Sequence, residues 1–286
     1  MCSVCGCSQG EIRINGRPSH ETHDHHHHHV HHAHNEHHAH RENGVGHNHH
    51  HTENSELFDP RRLVQIEQNI LAENQKFADA NRTAWNDRGL FSVNLLSSPG
   101  AGKTTLLVET LQILKTRVAL GVIEGDQQTS NDAARIRLTG VAAVQINTGR
   151  GCHLDAHSVG HAAADLTLEN GILFIENIGN LVCPAGFDLG EHKRVVLLSV
   201  TEGADKPAKY PDVFAGADLM LISKIDLLPH VDFDVAAAVG LARDLSPDLE
   251  VIEVSARTGQ GLPSWQDWLL SQQAWEAGRA LDARHA

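Results

Sequence analysis

"FSVNLLSSPGAGKTT", Phe91 to Thr105, is an apolar run of strand length that gives way to small residues and closes on Lys-Thr-Thr. Gly102, Lys103 and Thr104 fit the end of the pattern G-x-x-x-x-G-K-[ST]; Ser97 stands where the first Gly is usual, and Gly100 lies inside the loop. Small residues let backbone N–H groups turn inward around a phosphate. Gly100, Ala101, Gly102 and Thr105 would line that cradle, Lys103 would reach the β- and γ-phosphates, and Thr104 would ligate Mg²⁺. The stretch that follows, "KTTLLVETLQILK", reads as a helix pointing its positive end at the anion.

Six more apolar runs of strand length follow, at 118–126, 141–148, 171–178, 194–200, 218–226 and 249–256, alternating with helical stretches. Such continuous runs suit strands covered on both faces. The expected fold is α/β, a doubly wound, mostly parallel sheet with helices on both faces and ligands at the C-terminal strand ends. A helix is expected before it, capped by Asp59, opened by Pro60, and apolar at Leu63, Ile66, Ile70 and Phe77.

Later strand ends suggest which nucleotide the loop serves. "SKID", Ser223 to Asp226, resembles the N-K-x-D element of GTPases, with Ser223 where Asn is usual. A carboxylate at Asp226 can accept two N–H bonds from guanine, and Lys224 can lay its stem along the nucleotide. "SAR", with Ser255 and Ala256, follows the last strand and looks like the element that covers the guanine carbonyl. Two more strand ends carry acids, Asp126 in "EGDQQT" and Glu176 in "ENIGN", the latter where many phosphate-loop proteins place a Mg²⁺-side carboxylate, and both are expected to ligate Mg²⁺. No glutamine is recognisably placed to orient water, so slow GTP hydrolysis to GDP is expected, with Lys103, Asp126 and Glu176 carrying it.

Three groups of residues look like metal ligands. Cys2, Cys5 and Cys7 can wrap one soft or borderline ion; nitrogen donors alongside thiolate favour Ni²⁺, whereas a fourth thiolate favours Zn²⁺. Residues 1–56 hold 17 of the 23 His, in a run too irregular for an expression tag. They contain few large apolar residues and are expected to form a largely disordered metal-binding extension, leaving 57–286 as the nucleotide domain. In "GRGCHLDAHSVGH", Cys152 precedes His153, His157 and His161, whose i, i+4, i+8 spacing would align them on one helix with Cys152 at its start. Cys183 is expected on the same strand-end rim.

Composition limits the rest. The 286-residue chain carries a net charge of −13, which argues against a nucleic-acid partner, and no apolar run is long enough to span a membrane. Five Cys without a secretory leader read as reduced thiols in a cytoplasmic protein.

Together, "CSVCGC", the His-rich insert, "SSPGAGKTT", "EGDQQTSNDA", "NTGRGCHLDA", "ENIGNLVCPA", "SKIDLL" and "VSARTGQG" resemble one family, the hydrogenase nickel-incorporation GTPases (HypB). The resemblance implies a homodimer that responds to nucleotide or metal and helps insert nickel into the hydrogenase large-subunit precursor beside the accessory protein HypA. It implies tight nickel binding at the N-terminal Cys, a weaker nickel or zinc site at Cys152, His153 and Cys183, and nickel storage in the His tract. The rival readings are a storage or detoxification protein with a vestigial GTPase, and an accessory GTPase for another metalloenzyme such as urease.

Overall fold

In the computed structural model, which describes residues 12–18 and 60–285, each of the seven apolar runs forms a strand. Two short strands, β1 (Arg13–Ile14) and β2 (Arg17–Pro18), precede helix α1 (Pro60–Asp87). The chain continues through β3 (Phe91–Ser97), α2 (Lys103–Leu114), β4 (Ala119–Asp126), α3 (Asn131–Arg137), β5 (Ala142–Asn147), α4 (Ala156–Ala164) and β6 (Gly171–Glu176). It ends with β7 (Lys193–Ser199), α5 (Lys206–Lys209), α6 (Pro211–Ala215), β8 (Leu219–Ser223), α7 (Val235–Leu245), β9 (Glu250–Val254) and α8 (Leu262–His285). The strands form one sheet in the order β2-β1-β5-β4-β6-β3-β7-β8-β9, parallel from β5 to β9.

Every residue of β3, β6 and β8 is buried, because helices cover both faces. Phe91, Val93 and Leu95 of β3 pack with Leu107, Leu111 and Leu114 of α2 and Trp265, Trp268 and Leu269 of α8. On the opposite face, Trp85 of α1 and Val159 and Ala162 of α4 close over Ile123, Leu173 and Ile175. The site-bearing loops all leave the C-terminal edge of the parallel strands, β3 flanked by β6 and β7 at the centre.

Two elements depart from the expectation. Residues 12–18 fall inside the segment expected to stand apart, yet they form an antiparallel hairpin whose β1 pairs with β5. Asn15 and Gly16, both at positive φ, make the two-residue turn, and Ile12 and Ile14 pack against the α4-side core. In α1 the expected apolar positions Ile66, Ile70 and Phe77 are 43%, 41% and 36% exposed. The buried face is instead Asn74, Ala78, Asn81 and Trp85, because the helix binds loop backbone: Asn74 donates to Asp188 O and Asn81 to Ala156 O and Leu189 O.

Candidate nucleotide and metal site

The phosphate loop runs between the buried end of β3 and the first turn of α2. Gly100 and Gly102 sit at φ +75° and +97°, a region that side-chain-bearing residues avoid. The unexpected Ser97 has a use here: its hydroxyl donates to Ser98 O (2.7 Å) and accepts from Lys103 Nζ (2.9 Å). The Lys103 ammonium is therefore held at the base of the loop, and burial lowers its pKa against the pull of Glu176, Asp132, Glu202 and Glu124. Loop and strand ends enclose a cleft of about 550 Å³ lined by Gly100 to Thr105, Glu124, Asp126, Glu176 and Lys224.

Thr104 Oγ1 donates to Glu176 Oε1 at 2.6 Å. Burial raises the pKa of Glu176, and burial together with the neighbouring Glu176 and Asp126 pushes Glu124 up to about 8. Glu176 Oε2 and Glu124 Oε2 are buried with no hydrogen-bond partner among the described residues. Orphaned carboxylate oxygens beside a threonine hydroxyl are hard donors of the kind Mg²⁺ takes, so the residues fit that ion. Asp126 is engaged otherwise: its carboxylate accepts from Gln127 N (2.6 Å), Thr129 N (2.9 Å) and the Thr129 hydroxyl, bracing its own loop. Glu124 was not among the residues singled out from sequence; the available signal was an acid inside the apolar run "LGVIEGD". Arg135, which bonds Thr105 Oγ1 at 3.1 Å, was likewise missed.

At the end of the cleft expected to meet the base, Ser223 Oγ donates to Ala101 O (2.8 Å) and Lys224 Nζ to Gly100 O (2.6 Å), tying the end of β8 to the phosphate loop. Ser223 thus supplies a loop brace from the position where Asn is usual. Ser255 Oγ donates to Asp226 Oδ1 at 2.6 Å, fixing the carboxylate, while Ala256 follows in the same turn.

Cys152, His153 and Cys183 converge, with one donor atom from each lying within 4.8 Å of the others. Cys152 Sγ is 3.7 Å from His153 Nδ1, and His153 packs on Phe187 with ring centroids 4.0 Å apart. Burial holds the His153 imidazole below its usual pKa and so favours the neutral donor form. Cys183 is disulfide-bonded in this structure, so the cluster offers two thiolates only after reduction. The helix expected to carry all three His begins too late for that: α4 starts at Ala156 after the N-cap Asp155, leaving Cys152 and His153 on the preceding loop. His157 and His161 do lie on the helix, outside the three-residue cluster. Cys2, Cys5, Cys7 and the His tract lie outside the described residues.

Hydrogen bonds join this cluster to both nucleotide loops. Asn177, next to Glu176, accepts from Leu154 N (3.2 Å), and Asn180 donates to Cys152 O (3.2 Å). From the Asp126 loop, Gln127 donates to Gly151 O (3.2 Å) and Asp126 O accepts from Thr148 N (3.0 Å).

A strand–loop–helix with a buried lysine, a threonine hydroxyl among orphaned carboxylate oxygens and an aspartate fixed by Ser255 at a later strand end define a nucleotide-binding protein of the P-loop GTPase type. The family described as "CobW/HypB/UreG, nucleotide-binding domain" matches residues 92–253. The hydrogenase maturation factor HypB of Azotobacter vinelandii is 54% identical over 99% of this chain and 96% of that protein. Among solved structures, HypB from Archaeoglobus fulgidus is 40% identical with a TM-score of 0.67, covering 71% of this chain and 99% of that one. HypB from Helicobacter pylori, solved in complex with nickel, is 37% identical with a TM-score of 0.68, covering 72% and 97%. The chain belongs to the HypB family of hydrogenase maturation factors. No helix among the described residues is long and apolar enough to cross a membrane.

Proposed function

We propose that this protein is a GTP-hydrolysing nickel chaperone that stores nickel and helps insert it into the hydrogenase large-subunit precursor. The observation that carries the proposal is the hydrogen-bonded continuity between the Glu176 and Asp126 loops and the Cys152–His153–Cys183 cluster. Nickel is the cargo: a neutral imidazole and two thiolates suit a borderline divalent ion, and zinc competes for the same donors. The Helicobacter pylori relative with nickel bound supports this choice.

In the nucleotide cleft, Asp226, held by Ser255, accepts the guanine N–H groups, and Lys224 and Ser223 keep the phosphate loop in register with the base. Lys103 exchanges its Ser97 contact for the β- and γ-phosphates. Thr104 and Glu176, joined by Glu124, would hold a Mg²⁺ ion, which would supply charge neutralisation at the phosphates. Gln127 has its amide committed to Gly151 O, which supports a slow intrinsic turnover. Bound γ-phosphate orders the two loops; their bonds to residues 151–154 then shift the donor set, and hydrolysis lets it relax. Dimerisation that depends on nucleotide or metal, hand-over with the accessory protein HypA, and a cytoplasmic location complete the reading.

The test is nickel affinity of the reduced full chain with GDP and with a non-hydrolysable GTP analogue, for the parent and Lys103→Ala. The parent should differ between nucleotides and the variant should not. A response retained in Lys103→Ala would overturn the coupling. In a deletion strain, hydrogenase activity should be lost and restored by excess nickel. Normal hydrogenase activity with heightened nickel sensitivity would instead mean storage alone.

A further inference from the structure

Helix α3 brings to the nucleotide cleft a cation that neither the phosphate loop nor β8 supplies. Among the described residues lining the cleft, Lys103, Arg135 and Lys224 carry positive charge. Lys103 sits at the base of the loop on Ser97, and Lys224 is tied to Gly100 O. Arg135 reaches in from α3: its Nη2 donates to Thr105 Oγ1 at 3.1 Å and its Nη1 to Asp132 Oδ1 at 3.2 Å. The platform beneath it is fixed. Ala133 and Ile136 of α3 are fully buried, and Ile136 packs into the α2-side core. The loop leading into α3 is braced by Asp126 and by Gln145, whose Nε2 donates to Thr129 O at 2.5 Å.

The guanidinium itself is held lightly. The Arg135 side chain is 47% exposed and that of Asp132 44%, and an exposed ion pair of this kind is weak. Its partner Thr105 adjoins Thr104, and its charge reaches Glu176: burial raises the pKa of that acid, while Lys103 and, less strongly, Arg135 lower it. Arg135 therefore stands at the Thr104–Glu176 end of the cleft, where the terminal phosphate of a nucleotide would lie. Arginine offers a planar fork of donors that matches two oxygens of one phosphate.

We propose that Arg135 is a catalytic residue of GTP hydrolysis, exchanging Asp132 and Thr105 for the γ-phosphate and stabilising the charge that builds there; this rests on the reading of the cleft as a GTP site. In the step, a water oxygen bonds to the γ-phosphorus while the bond from that phosphorus to the β,γ-bridging oxygen breaks. The bridging oxygen leaves with the electron pair as part of GDP, and the proton of the water ends on inorganic phosphate. Charge spreads over the γ-oxygens on the way, so a guanidinium aimed at them binds the transition state better than the ground state.

The test is single-turnover hydrolysis of GTP by the full chain with Mg²⁺, with GDP affinity measured alongside. Arg135→Ala should slow hydrolysis about a hundredfold and leave GDP affinity near the parental value. Arg135→Lys keeps the charge without the fork and should recover only part of the rate. Millimolar guanidinium chloride should restore turnover to Arg135→Ala and leave the parent unchanged, a rescue that a merely structural role would not give. Parental turnover in Arg135→Ala would overturn the proposal and leave the GTP site standing. Slow turnover with weakened GDP binding and no rescue would overturn it too, as damage to α3. A parent that neither binds nor hydrolyses GTP would overturn the reading of the cleft and the proposal together.

Discussion

Asn180 is the residue through which the loop after Glu176 holds the backbone of Cys152. Its Nδ2 donates to Cys152 O at 3.2 Å, and its Oδ1 accepts from Val182 N at 2.9 Å. In Asn180→Ala both bonds are lost. Val182 is 62% exposed, so its N–H can turn to water at little cost. The Cys152 carbonyl sits on the half-buried metal loop, and losing its partner there costs about 0.5–1.5 kcal/mol. If that energy positions the Cys152 donor, nickel affinity at the cluster falls about two- to tenfold, and the difference between nucleotide states shrinks with it. The assay is the thiolate-to-nickel charge-transfer absorption of reduced protein, which ignores imidazole-bound nickel. It is read in a chain carrying Cys2→Ser, Cys5→Ser and Cys7→Ser. GTP turnover should stay near the parental rate, since the Lys103, Thr104 and Glu176 contacts are untouched. Unfolding by urea should shift by no more than about 1.5 kcal/mol. Equal nickel affinity in variant and parent, in both nucleotide states, would refute the reasoning.

Other substitutions probe separate links. Asp226→Asn presents donors to the guanine N–H groups and should weaken GTP binding about a hundredfold or more, while gaining affinity for xanthine nucleotides; competition binding decides this. Ser223→Ala removes the 2.8 Å bond to Ala101 O and should weaken nucleotide binding about fivefold, read by calorimetry. His192 is held down to about 4 by burial, with Arg82, Arg279 and Lys193 adding to the effect. Its unfolded value is about 6.5, so the unfolded chain binds the proton more tightly. Its contribution, at most about 3 kcal/mol, is therefore complete above about pH 6.5 and is lost as pH falls toward 4. Urea unfolding at about pH 7 and pH 5 should show this loss, and His192→Gln should flatten it.

The parallel strands were legible because burial on both faces leaves no polar alternation to read; β3 and β8 show it most plainly. The phosphate loop was legible because its geometry demands glycine at fixed spacing. What escaped had weaker local signals. The hairpin at 12–18 has strands of two residues each, too short for periodicity, and only its Asn-Gly turn marks it. The buried face of α1 is partly Asn because Asn74 and Asn81 satisfy loop backbone, and that need is set by tertiary packing. Spacing alone placed His153 with His157 and His161, but Asp155 caps the helix between them by accepting from Ser158 N. Glu124 looked like part of an apolar strand because its partner acid, Glu176, arrives only through the pairing of β4 with β6.

The hairpin at 12–18 fixes where the chain stands before the His-rich stretch. Its pairing with β5 anchors the chain on one side of residues 19–59, and α1 anchors it on the other. The described residues on either side of 19–59 therefore belong to one folded body. If the His tract stores nickel as proposed, an ion held there would meet the donors of the folded domain as an intramolecular neighbour, at an effective concentration set by chain length and not by how much protein is present. Loading of the domain from the tract should then proceed at the same rate in dilute and in concentrated solution. A single cut within residues 19–59 should slow that loading without removing one histidine.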